Sequence, residues 1–368
     1  MADDIETRDL DLVLITGAGA SHSLANPHFP LMEQWRESLQ KHLTNEVPAF
    51  ADLVGLSESI DGAEFERRLG VFLRDALSYV SSEDLVLRSM ELPYSLSSLN
   101  ISAIAEWRSQ FSNALNRLLE QTYQSTFNEF GRNNQYSTRA AEESYGSLLD
   151  AIGIKRDEST WALATTNYDH TAELTMVQLG FHPFLGEERA AGGGARFRLN
   201  AKRLSQFASP FGTPVFHLHG SVGWFQDKRG ETYGLDSVGT YDPSLGLPII
   251  LLPDLSKDYG SINLIKDLWN EFRSVLRRAK CVLVLGHSLN DFELLMALKE
   301  DIDDGRRIAV AWYSKTSERV WNDDDEVQLA FKLGHATSPT IVPINFGTPL
   351  QPTTFHALQD WQERVQSI

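Results

Sequence analysis

The chain has 368 residues, 42% hydrophobic and 23% charged, the composition of a globular protein with ample core. Its 33 basic and 50 acidic residues leave a formal net charge of -17, which repels nucleic acid in bulk and argues against phosphate-backbone binding as its main work. The single cysteine, Cys281, excludes an internal disulfide and a four-cysteine zinc site and fits a reducing compartment.

The acidic start Met1-Ala2-Asp3-Asp4-Ile5-Glu6 is no secretory signal, and no apolar run reaches the ~18–20 residues of a membrane span. A cytoplasmic protein is expected. Leu12-Val13-Leu14-Ile15-Thr16 reads as a short buried strand, and Gly17-Ala18-Gly19-Ala20-Ser21 follows at once. A buried strand that ends in glycines and hands over to a helix is a phosphate-binding arrangement. Glycines let the backbone approach a pyrophosphate, the small Ala18, Ala20 and Ser21 keep that approach open, and free N–H groups can point at the anion. A tight turn that binds nothing has the same pattern. The dehydrogenase fingerprint is broken, because the third glycine position holds His22 and no strand ending in Asp or Glu follows soon.

After the loop Asn26-Pro27-His28-Phe29-Pro30, a helix runs through Leu31, Trp35, Leu39 and Leu43. From there to about Asp150 the pattern is helical only, with stripes at Phe65, Leu69, Phe72, Leu73 and Leu77 and at Phe111, Leu115, Leu118, Leu119 and Tyr123. The stretch Tyr94-Ser95-Leu96-Ser97-Ser98-Leu99-Asn100 reads as their connector. Residues 31–154 are therefore predicted to form an inserted all-helical module, with 1–30 and 155–368 forming the main domain. The module either docks a partner or only shapes the pocket.

Strand–helix alternation resumes with Trp161-Ala162-Leu163-Ala164, then Thr165-Thr166-Asn167-Tyr168-Asp169 and a helix through Leu174 and Val177. Gly192-Gly193-Gly194 suits a mobile lid or a plain surface loop. Pro214 to Gly220 reads as a strand ending in His219-Gly220, and Ser221 to Gly246 as loop-rich. Leu247 to Pro253 is predicted to be a strand, and Ser261 to Lys280 a helix with Ile265, Leu268, Trp269, Phe272 and Leu276 on one face. The basic cluster Arg277-Arg278-Ala279-Lys280 then reads as a helix end complementing its dipole. Cys281 to Leu285, Ile308 to Trp312 and Ile341 to Asn345 are the last three strands. Apolar strands alternating with helices predict an α/β fold, a Rossmann-like parallel sheet covered by helices on both faces.

In such sheets ligands bind at the carboxyl ends of the strands. Those ends deliver Gly17, Gly19 and Ser21; Thr166, Asn167 and Asp169; His219 and Gly220; Gly286, Ser288 and Asn290; and Asn345, Gly347 and Thr348. Five strands ending in small or hydrogen-bonding residues point to one polar pocket for a ligand bearing phosphate and ribose.

This constellation resembles the sirtuin family, through Gly17-Ala18-Gly19-Ala20-Ser21, Thr166-Asn167-Tyr168-Asp169, His219-Gly220, Gly286-His287-Ser288-Leu289 and Ile344-Asn345 in that order. The stretch from Leu251 to Leu289, with Pro253, Lys257 and Trp269, is most similar to the bacterial sirtuin-like NAD hydrolases of antiphage defence. The resemblance implies NAD as substrate, with Gly17, Ala18, Gly19 and Ser21 at the phosphates. It places Thr166, Asn167 and Asp169 at the nicotinamide ribose and carboxamide, and Gly286, Ser288 and Asn345 around the adenosine half. It makes His219 the catalytic histidine, beside Asn167 and Asp169, and no zinc is expected. Two departures stand against protein deacylation: the four-cysteine ribbon is missing, and Asn26-Pro27-His28-Phe29-Pro30 replaces the family's Gly-Ile-Pro-Asp-Phe-Arg run.

The bond at issue joins a cationic nicotinamide to ribose. It breaks through an oxocarbenium-like transition state that favours a dry site with aligned dipoles. A histidine near its ordinary pKa of ~6.5 suits the base that activates water. His217 and His219 alternate onto one strand face; His219 lies at the accessible end, and His217 is expected to be a packed core residue. The pair also has a metal-ligand spacing, with His22, His170 and His287 near other strand ends, but a metal site is disfavoured. The expected activity is an NAD glycohydrolase. A zinc-free deacylase or ADP-ribosyltransferase and a non-catalytic NAD or ADP-ribose sensor are the alternatives. No sensor domain follows the last strand, so control is expected from homo-oligomers or a partner; the resemblance implies a HerA-type ATPase or a short Argonaute.

Overall fold

The computed structural model describes residues 10–24, 32–46, 121, 124, 138–155, 159–189, 196–206, 212–227, 229–235, 242–251, 262–287, 289–300, 307–313, 333, 341–346, 356 and 358–363. The chain divides into two compact units. One comprises Met1–Met32, Phe130–Leu251 and Asp258–Ile368, and the other Glu33–Glu129 with Leu252–Lys257. In the second unit, helix α2 (Met32–Glu46) buries Leu39 and Leu43, four apart and so on one face, and His42 Nε2 lies 2.9 Å from Gln121 Oε1. The two predicted aromatic stripes, their connector and Gly192-Gly193-Gly194 lie outside the described residues.

The first unit is built on apolar strands. β1 (Leu10–Thr16), β2 (Trp161–Thr165), β3 (Pro183–Phe184), β6 (Thr213–His217), β10 (Ala279–Leu285), β11 (Arg307–Tyr313) and β12 (Ile341–Phe346) form a seven-stranded sheet. Its order is β12-β11-β10-β1-β2-β6-β3, and every neighbouring pair is parallel. The α/β, Rossmann-like reading therefore holds. Alternation along β1 sends Val13 and Ile15 into one core and Leu12 and Leu14 into the other. The first core meets α6 (Asn263–Arg278) through Leu268, Phe272 and Leu276, and α7 (Phe292–Glu300) through Leu294 and Ala297. The second meets α3 (Thr138–Ala151) through Tyr145 and Leu148, and α4 (Thr171–Gln178) through Ala172 and Met176. Helix α3 thus belongs to the unit of the sheet, although the sequence boundary at 154 puts it in the module.

One expectation is corrected. The segment read as loop-rich carries β7 (Gly220–Gln226) and β8 (Thr232–Leu235). With β4 (Glu187–Glu188), β5 (Arg196–Leu199) and β9 (Leu247–Ile250) they form a separate antiparallel sheet, ordered β4-β5-β8-β7-β9. Two of the glycines there, Gly223 and Gly234, lie inside strands as packing seats: a Cβ on Gly234 would stand 2.3 Å from the Phe197 ring, and one on Gly223 2.8 Å from His170. The helix expected through Leu174 and Val177 is α4, which leaves those two residues exposed and buries Thr171, Glu173 and Thr175.

Candidate functional site

β1 and β2 are adjacent, and the chain crosses back to lay β10 on the other side of β1. The strand order reverses there, which opens a crevice beyond the carboxyl ends of β1 and β10. Helix α1 (Ala18–Leu24) starts at that crevice.

The turn is fastened backbone to backbone. Gly17 N–H donates to Leu285 O at 3.0 Å, Gly19 N–H to Gly286 O at 3.0 Å, and Ala20 N–H to Gly17 O at 2.9 Å. A Cβ on Gly17 would lie 2.7 Å from Gly286 O. One on Gly286, where φ is +62°, would lie 2.2 Å from Ala20 N. The glycines are thus required for two strand ends to touch. Three of the N–H groups that the sequence left for an anion are spent on carbonyls, and Ala18 is half-buried at the rim.

The second strand end locks onto the first. Thr166 N–H donates to Thr16 O at 3.1 Å, and Asn167 N–H to Thr165 Oγ1 at 3.1 Å. The Asn167 amide bridges the turn, donating to Gly17 O at 3.1 Å and to Ser21 Oγ at 2.9 Å. Ser21 Oγ donates to Asp169 Oδ2 at 3.5 Å, and Asp169 Oδ1 accepts Thr171 N–H at 2.8 Å, opening α4. Thr166 and Asn167 are half-buried, whereas Ser21 and Asp169 are buried. Burial raises the pKa of Asp169, against the Thr171 hydrogen bond that opposes it.

The third strand end brings two histidines and sends them apart. β6 ends at His217, paired in register with Thr165. Leu218 and His219 form a turn, so the expectation that both rings share a strand face fails. Gly220 has φ +82°, and a Cβ there would meet Ile249 O at 1.9 Å. Leu218 N–H donates to Thr165 O at 2.9 Å, Trp269 Nε1 to Leu218 O at 3.1 Å, and Leu251 N–H to His219 O at 2.8 Å. His219 is buried, and its Nε2 lies 2.9 Å from Asp291 Oδ2.

His217 is fully buried and bonded at both ring nitrogens. Nε2 meets Glu173, and Nδ1 lies 3.3 Å from Asn167 O. Burial alone would lower its pKa, but the Glu173 carboxylate outweighs burial and raises it. Burial would raise Glu173, but His217 and then His170 hold it below the usual carboxylate range. The two form an ion pair. His170 is lowered by burial and by the His217 charge, and its Nε2 bonds Ser221 Oγ. Tyr145 is pushed far up by burial and the Asp169 and Glu173 charges. His217 is therefore the packed histidine expected, with one more partner than the sequence implied.

Gly17, Gly19, Ser21, Thr166, Asn167, Asp169 and Gly286 come together, with His219 one strand further along. Asn345 lies on β12 opposite Trp312, three strands from β1 and so about 14 Å away at ~4.8 Å per strand. Ser288, Gly347 and Thr348 lie outside the described residues. Sequence reasoning missed Glu173 and Asp291, the two carboxylates that hold the histidines. A signal existed for Asp291, which stands just before an apolar helix where an N-cap is expected. Among the described residues, no group of three or more His, Cys, Asp or Glu side chains could hold a metal, and no helix is long and apolar enough to cross a membrane.

No family model and no curated protein matches the chain. Among solved structures it is similar to a Sir2 homologue–NAD complex, at 12% identity over 98% of this chain and 91% of that one, with a TM-score of 0.36. It is similar to a Sir2 homologue variant in complex with ADP-ribose, at 12% identity over 98% and 94%, with a TM-score of 0.39. It is also similar to Sir2Tm bound to a propionylated peptide, at 13% identity over 99% and 95%, with a TM-score of 0.33.

Proposed function

We propose that the chain is an NAD glycohydrolase, cleaving the nicotinamide–ribose bond to give nicotinamide and ADP-ribose. One observation carries the reading. The Thr165–His217 rung sets Asn167 and His219 each two residues beyond the same point on the neighbouring strands β2 and β6, on the β2 side of the reversal of strand order between β1 and β10. This supports a site in which an uncharged amide and a histidine base act from neighbouring strand ends beside the glycine turn. Asn167 is oriented by Gly17 O and Ser21, so its carbonyl oxygen can accept from a ribose hydroxyl or from the attacking water. Ser21, Asp169 and His219 are buried, and buried dipoles favour the oxocarbenium-like transition state.

The step balances simply. The C1′–N bond breaks and its electron pair goes to nicotinamide. A water oxygen bonds C1′, and His219 takes the proton that the water loses. Gly17, Ala18, Gly19 and Ser21 flank the phosphates, with Thr166 and Asp169 supporting the nicotinamide side and Gly286, Ser288 and Asn345 the adenosine side. The motif resemblance further supports an NAD-depleting role in antiphage defence, held in check by self-assembly or by a partner such as a HerA-type ATPase or a short Argonaute.

The test is product analysis of purified protein incubated with NAD, alone and with candidate partners. Nicotinamide and ADP-ribose should appear in equal amounts without any acyl-lysine peptide. His219→Ala and Asn167→Ala should each lower turnover at least ~100-fold, the scale of losing a base or an aligned dipole. Full turnover by His219→Ala overturns the assignment. Nicotinamide release only when an acylated peptide is added indicates deacylation. Binding without products indicates a sensor.

A further inference from the structure

We propose that Asp291 is a positioning residue that fixes the tautomer of His219; this rests on the reading of His219 as the base of NAD cleavage. Asp291 stands 72 residues from His219 in the chain and immediately before α7. Its two oxygens do different work. Oδ1 accepts the Leu294 N–H at 3.0 Å, which caps the helix. Oδ2 lies 2.9 Å from His219 Nε2, with side-chain exposures of 4% for Asp291 and 6% for His219.

A helix cap needs one oxygen, and Ser, Thr or Asn would supply it equally well. Only a carboxylate offers a second acceptor in the same place, because the other atom of Asn is a donor. The helix start favours a negative charge at this position. Facing a carboxylate, the neutral imidazole keeps its proton on Nε2 and presents a lone pair at Nδ1. Nδ1 is then the nitrogen that takes the proton from the attacking water. The negative charge at Nε2 stabilises the imidazolium that results, and Asp291 itself remains unprotonated.

The backbone is arranged to keep this pairing in register. The His219 carbonyl is held by Leu251 N–H, the preceding carbonyl by Trp269, and Gly220 permits the sharp exit. The helix that follows Asp291 buries Leu294, Ala297 and Leu298 against the sheet, so the carboxylate cannot drift.

Asp291→Asn is the informative variant, since it retains the capping oxygen and the volume. With an amide NH2 at the second position, His219 Nε2 becomes an acceptor and the ring moves its proton to Nδ1. Histidine-selective nitrogen NMR, with the His219 signal identified by its loss in His219→Gln, should show the Nε2–H tautomer in the parent chain and the Nδ1–H tautomer in Asp291→Asn. kcat for NAD cleavage should fall at least ~100-fold with KM within about threefold and an unchanged melting temperature. Asp291→Glu should recover part of the loss. In a His219→Ala background, Asp291→Asn should add nothing.

A parent ring carrying its proton on Nδ1, or an Asn variant with the parent tautomer and kcat within threefold, overturns the proposal. The NMR arm uses no NAD. If the parent chain leaves NAD intact both alone and with the candidate partners, the glycohydrolase reading fails, while the pairing is still decided by the tautomer of His219.

Discussion

Glu173→Leu isolates the ion pair beneath the site. The substitution keeps a long, compact side chain on α4 and removes the carboxylate that faces His217. With side-chain exposures of 0% for His217 and 8% for Glu173, water screens neither group. Removing one partner of a buried pair costs about 3–5 kcal/mol. One offset applies, since Glu173 Oε2 is buried without a hydrogen-bond partner and its removal relieves about 1–3 kcal/mol. The net expectation is a loss of about 2 kcal/mol, localised where His217 Nδ1 holds Asn167 O. Hydrogen exchange by mass spectrometry over peptides spanning 161–169 and 213–219 should then run about 30-fold faster. The double variant Glu173→Leu with His217→Leu should recover most of the protection, because an apolar pair of similar volume replaces the ions at little cost.

The pH dependence has a defined sign. His217 is raised in the fold, so its contribution is complete below its ordinary value of 6.5 and is lost as pH rises through the raised one. Glu173 is lowered, so its contribution is complete above 4.5 and is lost as pH falls through the lowered value. The gap between variant and parent should be widest from about pH 4.5 to 6.5 and should narrow in alkali. Exchange within threefold of the parent at pH 6, or a double variant no better protected than the single one, refutes the reasoning.

Gly286→Ala should be strongly destabilising, because its Cβ would stand 2.2 Å from Ala20 N and 2.6 Å from Gly19 C, backbone atoms that cannot step aside. A loss of about 2 kcal/mol or more is expected from the contact and the positive φ together, read as a lower melting temperature and weaker NAD binding. Trp269→Phe removes the indole N–H that holds Leu218 O while keeping the ring in the core. About 1 kcal/mol of stability should go, with a fall in NAD turnover larger than any change in KM. A turnover equal to the parent's would show that the Leu218 carbonyl needs no anchor.

What could be read from the sequence follows the range of the forces involved. Apolar runs such as Val282 to Leu285 and the stripe Ile265, Leu268, Trp269, Phe272 carry their own period, and both fell where expected. The strand ends were legible because a parallel sheet gathers them at one edge. Glu173 and Asp291 were not, since each meets its histidine 44 or 72 residues away and no local pattern marks the pairing. Which side of α4 turns inward was equally non-local, since Glu173 faces His217 while Leu174 and Val177 stay exposed. Glycines in β7 and β8 mimicked loop chemistry because the rings that need their space arrive from other strands and helices. Two of the three bonded N–H groups of the glycine turn could not be foreseen, because the acceptors of Gly17 and Gly19 sit on β10 and the turn behind it, more than 260 residues on.

The tip of β6 passes one histidine to each helical layer. His217 is tied to α4, which packs in one core, and His219 to the residue that starts α7, which packs in the other. Two residues of backbone therefore act as a rivet through the sheet. A shift of either layer loads the same short segment, and slack on one side is felt as tension on the other. The position of His219 depends on the seating of both cores at once.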